Sequence, residues 1–134
     1  MDWTVENYGS QKIIRVIYQG TISIPVCLSA LNEISEKYVK QPEFVILSDY
    51  RELDLSLLFI DDIRRIVDYY VDRAGLFENC RLAYLIKPGL QFGVFRQFHT
   101  LMEMYTDIEV LAFFDEFEAM TWLAARQAQA EAAG

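Results

Sequence analysis

The sequence predicts one α/β domain, a five-stranded mixed sheet flanked by four helices in the order β-β-α-β-α-β-α-β-α. Three observations carry this. Short runs rich in β-branched and aromatic residues alternate with longer stretches whose apolar residues recur at steps of three and four. The first two β runs follow each other with no helical stretch between them, which gives an antiparallel hairpin ahead of right-handed parallel crossovers. No repeat, linker or low-complexity segment divides the 134 residues, a length that buries one core without metal or disulfide staples.

The elements follow in chain order. Residues 2–8 alternate Trp3 and Val5 against Thr4 and Glu6, a strand with one wet face, and Gly9-Ser10 offers a tight turn. Residues 12–19 place Ile14, Val16 and Tyr18 on one face and Ile13 and Ile17 on the other, so this strand belongs inside the sheet. From Ser23 to residue 41, Ile24, Cys27, Leu31, Ile34 and Tyr38 form a helical stripe. Ser23 takes the N-cap, Pro25 the first turn, and Pro42 the stop. Residues 43–48 are a buried strand, followed by a loop over DYRELDLS.

A helix over 58–74 buries Phe59, Ile63, Ile66 and Tyr70, keeps Asp61 and Asp62 at its positive end, and stops at a left-handed Gly75 packed by Leu76. Residues 81–86 are the next strand, and KPG breaks the chain. Residues 91–105 form a helix with Phe95, Phe98, Met102 and Tyr105 on one side. Residues 109–114 are the last strand. Asp115 caps the last helix, Glu118 completes an acidic capping box, Phe114 and Ala119 form a weak staple, and Ala119, Trp122 and Leu123 turn inward. The compact domain is expected over 1–124, with 125–134 an Ala-rich, fraying tail.

Composition narrows the function classes. Hydrophobic residues at 53% against 24% charged residues fit a globular protein rather than a disordered one. The net charge of −8, with basic residues scattered, disfavours nucleic acid and anionic membrane surfaces as partners. No apolar run reaches membrane-spanning length and no leader is visible, so a cytoplasmic location is expected. Cys27 and Cys80 are too few and too far apart for a metal or disulfide framework and read as small apolar packers.

FVILSDYRE (44–52), FGVFRQF (92–98) and FFDEFEAMTWL (113–123), set in this order of elements, make the chain resemble the SpoIIAA-like family of small bacterial proteins with the STAS or anti-sigma-factor-antagonist fold. The resemblance implies a non-enzymatic fold used to bind proteins or small ligands. Phospho-switched antagonists carry an Asp-Ser-Ser/Thr-Gly type motif where this chain reads SDYRELDLSLLFIDD, with Ser56 nearest the helix start as a cap. The phospho-switch is therefore not carried over.

No nucleophile and base are paired, so no catalytic residues and no cofactor are expected. His99 either pairs on the surface with Glu103 or orients a substrate. Asp49, Glu52 and Asp54, with Asp61 and Asp62, are either a solvated acidic loop or a magnesium site. KPGLQFG (87–93) approaches a phosphate cradle without matching a known fingerprint. Ligands of open α/β sheets favour the carboxyl ends of parallel strands, which here gather Asp49, Tyr50, Arg51, Lys87, Gly89, Gln91 and Arg96 as a candidate site for a small anionic or polar ligand. Asp115, Glu118 and Trp122 are expected to be structural. Phe92, Phe95, Phe98, Tyr69 and Tyr70 either fill the core or form a patch for homodimerisation, a protein partner or a lipid-like molecule. The leading expectation is a non-catalytic module binding a protein partner or itself; the alternative is a carrier or sensor of a small hydrophobic or anionic ligand.

Overall fold

The computed structural model describes residues 3–7, 13–21, 23–38, 45–56, 58–77 and 80–133. Strands β1 (Trp3–Asn7), β2 (Ile13–Thr21), β3 (Val45–Asp54), β4 (Arg81–Leu85) and β5 (Glu109–Phe113) form one sheet in that spatial order. β1 runs antiparallel to β2, and all later neighbours are parallel. Helices α1 (Ile24–Tyr38), α2 (Ile60–Asp72), α3 (Leu90–Tyr105) and α4 (Glu116–Ala133) complete the single α/β domain. The Gly9-Ser10 turn, the stop at Pro42 and the side chain of Tyr38 lie outside the described residues. Among the described residues, no helix is long and apolar enough to cross a membrane.

Each crossover from β2 to β5 steps to the next strand in the same direction. Right-handed crossovers therefore stack α1, α2 and α3 on one face of the sheet. There Ile14, Val16, Ile46, Leu82 and Val110 meet Ile34, Ile63, Tyr70 and Met102 in the main core. α4 returns over the opposite face, where Ala119 and Leu123 seal a smaller cluster of Ile13, Val45, Leu47, Ala83 and Leu85. Successive strand residues such as Ile46 and Leu47 thus point into different cores, and the interior strands read apolar at every position.

β3 is longer than expected. It continues through DYRELD to Asp54, because two of its residues, Tyr50 and Arg51, oppose the single Tyr18 of β2 in a bulge, after which Gln19–Thr21 pair with residues 52–54. The bulge reverses the face parity, so Tyr50 and then Leu53 reach the same core.

Helix ends also depart from the expected pattern. Phe59 and Tyr105, expected in buried stripes, are 69% and 60% exposed. α3, with 16 residues, extends about 24 Å. The five-residue strands beneath it extend only about 17 Å. The helix ends therefore overhang the sheet. Gly75 is not a left-handed cap: the chain leaves α2 through a 3₁₀ turn at Ala74–Leu76, and Leu76 is exposed. Ser56 does not cap α2 either. Phe59 is the N-cap residue, its amide donating to the Asp62 carboxylate at 3.0 Å.

At the start of α4 the Asp115 half of the expected capping box is present. The Asp115 carboxylate accepts the Glu118 amide at 3.0 Å. Phe114 does not staple to the buried Ala119; its ring lies 5.8 Å from Phe92 instead, on the other side of the cap. Trp122 is half-buried, packed between the Phe113 ring at 5.7 Å and the Arg81 guanidinium at 4.7 Å.

Candidate functional site

Of the residues expected to form an anion site, Asp49, Tyr50 and Arg51 lie within β3, Lys87, Gly89 and Gln91 follow β4 into the start of α3, and Arg96 lies further along α3, and the structure divides Asp49 and Tyr50 between two faces. Asp49 faces α4 and is 6% exposed. The bulge frees the Arg51 amide from the sheet ladder, and this amide donates to Asp49 Oδ1 at 3.1 Å. The Arg51 side chain closes a two-pronged pair, with Nε to Oδ1 at 3.0 Å and Nη2 to Oδ2 at 2.8 Å. Arg15 of β2 adds Nη2 to Oδ2 at 3.1 Å and also pairs with Glu116 at the start of α4.

Four donors thus fill the acceptor sites of one carboxylate. Burial alone raises the Asp49 pKa, but hydrogen bonds and charge from Arg51, aided by Arg15, outweigh it and hold the group below its ordinary range. With its lone pairs occupied and its proton disfavoured, Asp49 is an anchor between β2, β3 and α4. It has no capacity left for a ligand.

Tyr50 points the other way. Its ring meets Tyr18 and Tyr84 edge-on, at 4.9 and 5.3 Å between centroids, and burial pushes its phenol well above the usual value. Gln91 is also committed internally. Its Nε2 donates to the carbonyls of Tyr50 at 2.8 Å and Leu53 at 3.0 Å, while its Oε1 accepts the Lys87 amide at 2.8 Å. The side chain ties the β4–α3 loop to the bulged end of β3. Gly89 is the N-cap residue of α3 with φ of 96°. Lys87 and Arg96 have exposed side chains, Arg96 lying over the Phe92 ring at 5.9 Å. The strand order never reverses, so the sheet has no switch-point crevice of the kind that gathers ligands in doubly wound folds.

The acidic residues do not converge. Asp54 is turned to the Ser56 amide at 2.9 Å, away from the Asp49 anchor. Among the described residues, no group of three His, Cys, Asp or Glu side chains is placed to hold a metal ion. His99 sits 3.4 Å from Glu103 and stacks on Phe95, the surface pairing named first above. Cys27 and Cys80 are buried thiols, and burial pushes Cys27 up to about 12, which leaves it protonated and unreactive at neutral pH.

Of the surplus aromatics, Phe98, Tyr69 and Tyr70 are core residues and Phe95 is half-buried. An apolar cavity between α2, α3 and the sheet, lined by Leu58, Ile63, Tyr84, Val94 and Phe95, has a volume of only about 30 Å³. Six exposed apolar residues stand at the starts of α2, α3 and α4, namely Phe59, Ile60, Leu90, Phe92, Phe114 and Phe117, the last 77% exposed, while Val71, Leu76, Met104 and Tyr105 are exposed at the opposite ends of α2 and α3.

Two parts of this geometry were not anticipated. Arg15 lies between Ile13 and Ile17 on a strand apolar on both faces, a position where a charge requires a buried partner; that was its signal. Glu116 carried none beyond being acidic in a first turn.

Among solved structures, an uncharacterized DUF3478-family protein from Shewanella loihica PV-4, described as having a SpoIIAA-like fold, superposes with a TM-score of 0.58. It shares 24% identity, over 90% of this chain and 93% of that one. At that identity the likeness shows the fold, and the chain has a SpoIIAA-like fold. No protein-family profile and no curated protein matches the sequence.

Proposed function

We propose that the chain is a non-catalytic binding module that docks a protein partner through the apolar rim at the carboxyl edge of its sheet. The observation that carries this is the exposure of Phe59, Ile60, Leu90, Phe92, Phe114 and Phe117 at the starts of three helices. Helix overhang explains why these positions meet water, but it does not explain why they are apolar; Asp or Ser would cap at least as well. Exposed apolar clusters of this kind suit protein interfaces, whose buried centres are rich in aromatic residues.

The internal chemistry supports the same reading over the alternatives. A cavity of about 30 Å³ is about a tenth of the roughly 300 Å³ at which ligand pockets begin, which counts against a carrier. The polar groups of Asp49 and Gln91 are saturated by the protein itself, which counts against an anion sensor at this edge. A photo-crosslinking residue at Phe117 should capture one discrete protein in cells, while the same residue at exposed Glu36, near the far end of α1, should not. Equal and diffuse labelling from both positions would refute the proposal.

A further inference from the structure

β5 ends the sheet, and among the described residues no strand pairs with its outer edge. The Phe113 carbonyl accepts the Ile86 amide at 3.0 Å, so the backbone of Phe113, and by alternation that of Leu111 and Glu109, points toward β4. The amides and carbonyls of Val110 and Ala112 therefore face outward. Exposed edges normally carry a charge, a proline or a bulge that prevents pairing. β1 shows exposed Glu6 and Thr4 at its own edge. On β5 the one charge, Glu109, stays exposed but is held by Arg81 of β4 at 2.9 Å, and Leu111 stands 41% exposed.

Two grooves follow this edge. One, of about 380 Å³, is lined by Phe92, Arg96, His99 and Leu111. The next, of about 370 Å³, is lined by His99, Glu103, Asp107, Glu109 and Trp122. The groove is thus basic at the carboxyl end of β5 and acidic at its amino end. That polarity is self-complementary under a two-fold axis: rotating a second copy by half a turn about an axis normal to the sheet places each Arg96 against the partner's acidic end.

We propose that β5 pairs antiparallel with β5 of a second copy, about a two-fold axis at Leu111, to give a continuous ten-stranded sheet. Val110 then exchanges two hydrogen bonds with the partner's Ala112, and Ala112 with the partner's Val110. Leu111 and the partner's Leu111 form the close, non-hydrogen-bonded pair on the axis. This rests on the reading of the chain as an interaction module and names one partner, itself. It uses the sheet edge rather than Phe117, so the cross-linking result and the self-association result can fail separately.

Sedimentation velocity from low to high micromolar concentration tests it, together with amide hydrogen exchange. The wild type should dimerise, with the Val110 and Ala112 amides gaining protection as concentration rises. Ala112→Pro removes one outward donor and no donor to β4, and should leave a monomer. Because a proline there strains the strand, the exposed charge reversal Arg96→Glu supplies a second variant. It should weaken the dimer at least about tenfold, and Arg96→Glu combined with Glu103→Arg should restore it. A wild type that stays monomeric throughout, or a dimer that Arg96→Glu leaves intact with Val110 and Ala112 exchanging freely, overturns the pairing.

Discussion

Asp49 concentrates more interaction on one side chain than any other residue considered as part of the site. Asp49→Asn keeps the shape but removes the charge that four donors from Arg15 and Arg51 address, and its new amide hydrogens face guanidinium groups. Hydrogen bonds to a charged acceptor are worth about 1.5–3 kcal/mol each in net terms, and Arg15 retains Glu116, so a loss of about 2 kcal/mol in urea denaturation is expected. Asp54→Asn, at an exposed position bonded to one amide, should leave the urea midpoint close to that of wild type. The pH dependence has a definite sign. The folded Asp49 pKa lies below the ordinary value, so its contribution is present above about pH 4 and fades as pH falls further, through the folded value. The gap between wild type and Asp49→Asn should therefore narrow below about pH 4, and a gap constant with pH would remove the ionic account. Sequence reasoning identified Asp49 and Arg51 as neighbours but gave them to a ligand. Two residues apart in a predicted loop, they carry no sign of a mutual bond; the bulge and Arg15, which is distant in sequence, are what commit them to each other.

Gly89 and Gly93 lie four residues apart in one motif, yet the backbone separates them. Gly89 holds φ of 96° and ψ of −128° at the N-cap of α3, a region that costs a residue with a Cβ about 1–3 kcal/mol. Gly93 sits inside the exposed first turns of α3, where an added Cβ meets nothing within 4 Å. Gly89→Ala should therefore destabilise by that amount, while Gly93→Ala should stabilise by about 0.5–1 kcal/mol, as removing a helical glycine does. Thermal melts of the two variants check both signs, and a destabilising Gly93→Ala would mean that the glycine has a packing role not visible in this fold. Element types and order were legible because each helix carries an apolar stripe that the sheet needs. The ends were less so. Periodicity predicts which face is buried but not how far the covering strands extend, and Phe59 and Tyr105 lie beyond them. The last part of β3 escaped notice for a related reason: the bulge moves the inward positions from Tyr50 to Leu53, and that shift breaks the strict alternation by which a strand is recognised.

At the scale of the molecule the two sheet faces are covered unequally. Among the described residues three helices cover one face, whereas α4 alone covers the other, contacting β3, β4 and β5. The alternation of strands and helices reveals the layers, but the spatial strand order is set by packing, and only that order shows that the described strands have no topological switch point at their carboxyl edge. The unequal cover also bears on where the domain ends. The fully buried residues named on α4, Ala119 and Leu123, both precede residue 125. A chain cut after Ala124 keeps these contacts, together with the Asp115 cap and the carbonyl of Trp122 that accepts Arg81 at 2.9 Å. What it loses is a helical extension, and short helices in proteins are held mainly by the packing of an apolar face. Removal of 125–134 should accordingly change unfolding free energy by less than about 1 kcal/mol. A chain cut after Phe114 instead exposes Ile13, Val45, Leu47, Ala83 and Leu85 together and should bind a hydrophobic dye without a cooperative melt. If the cut at residue 124 also abolished the cooperative transition, the last turns of α4 would have to form part of the cover, and the domain would extend past residue 124.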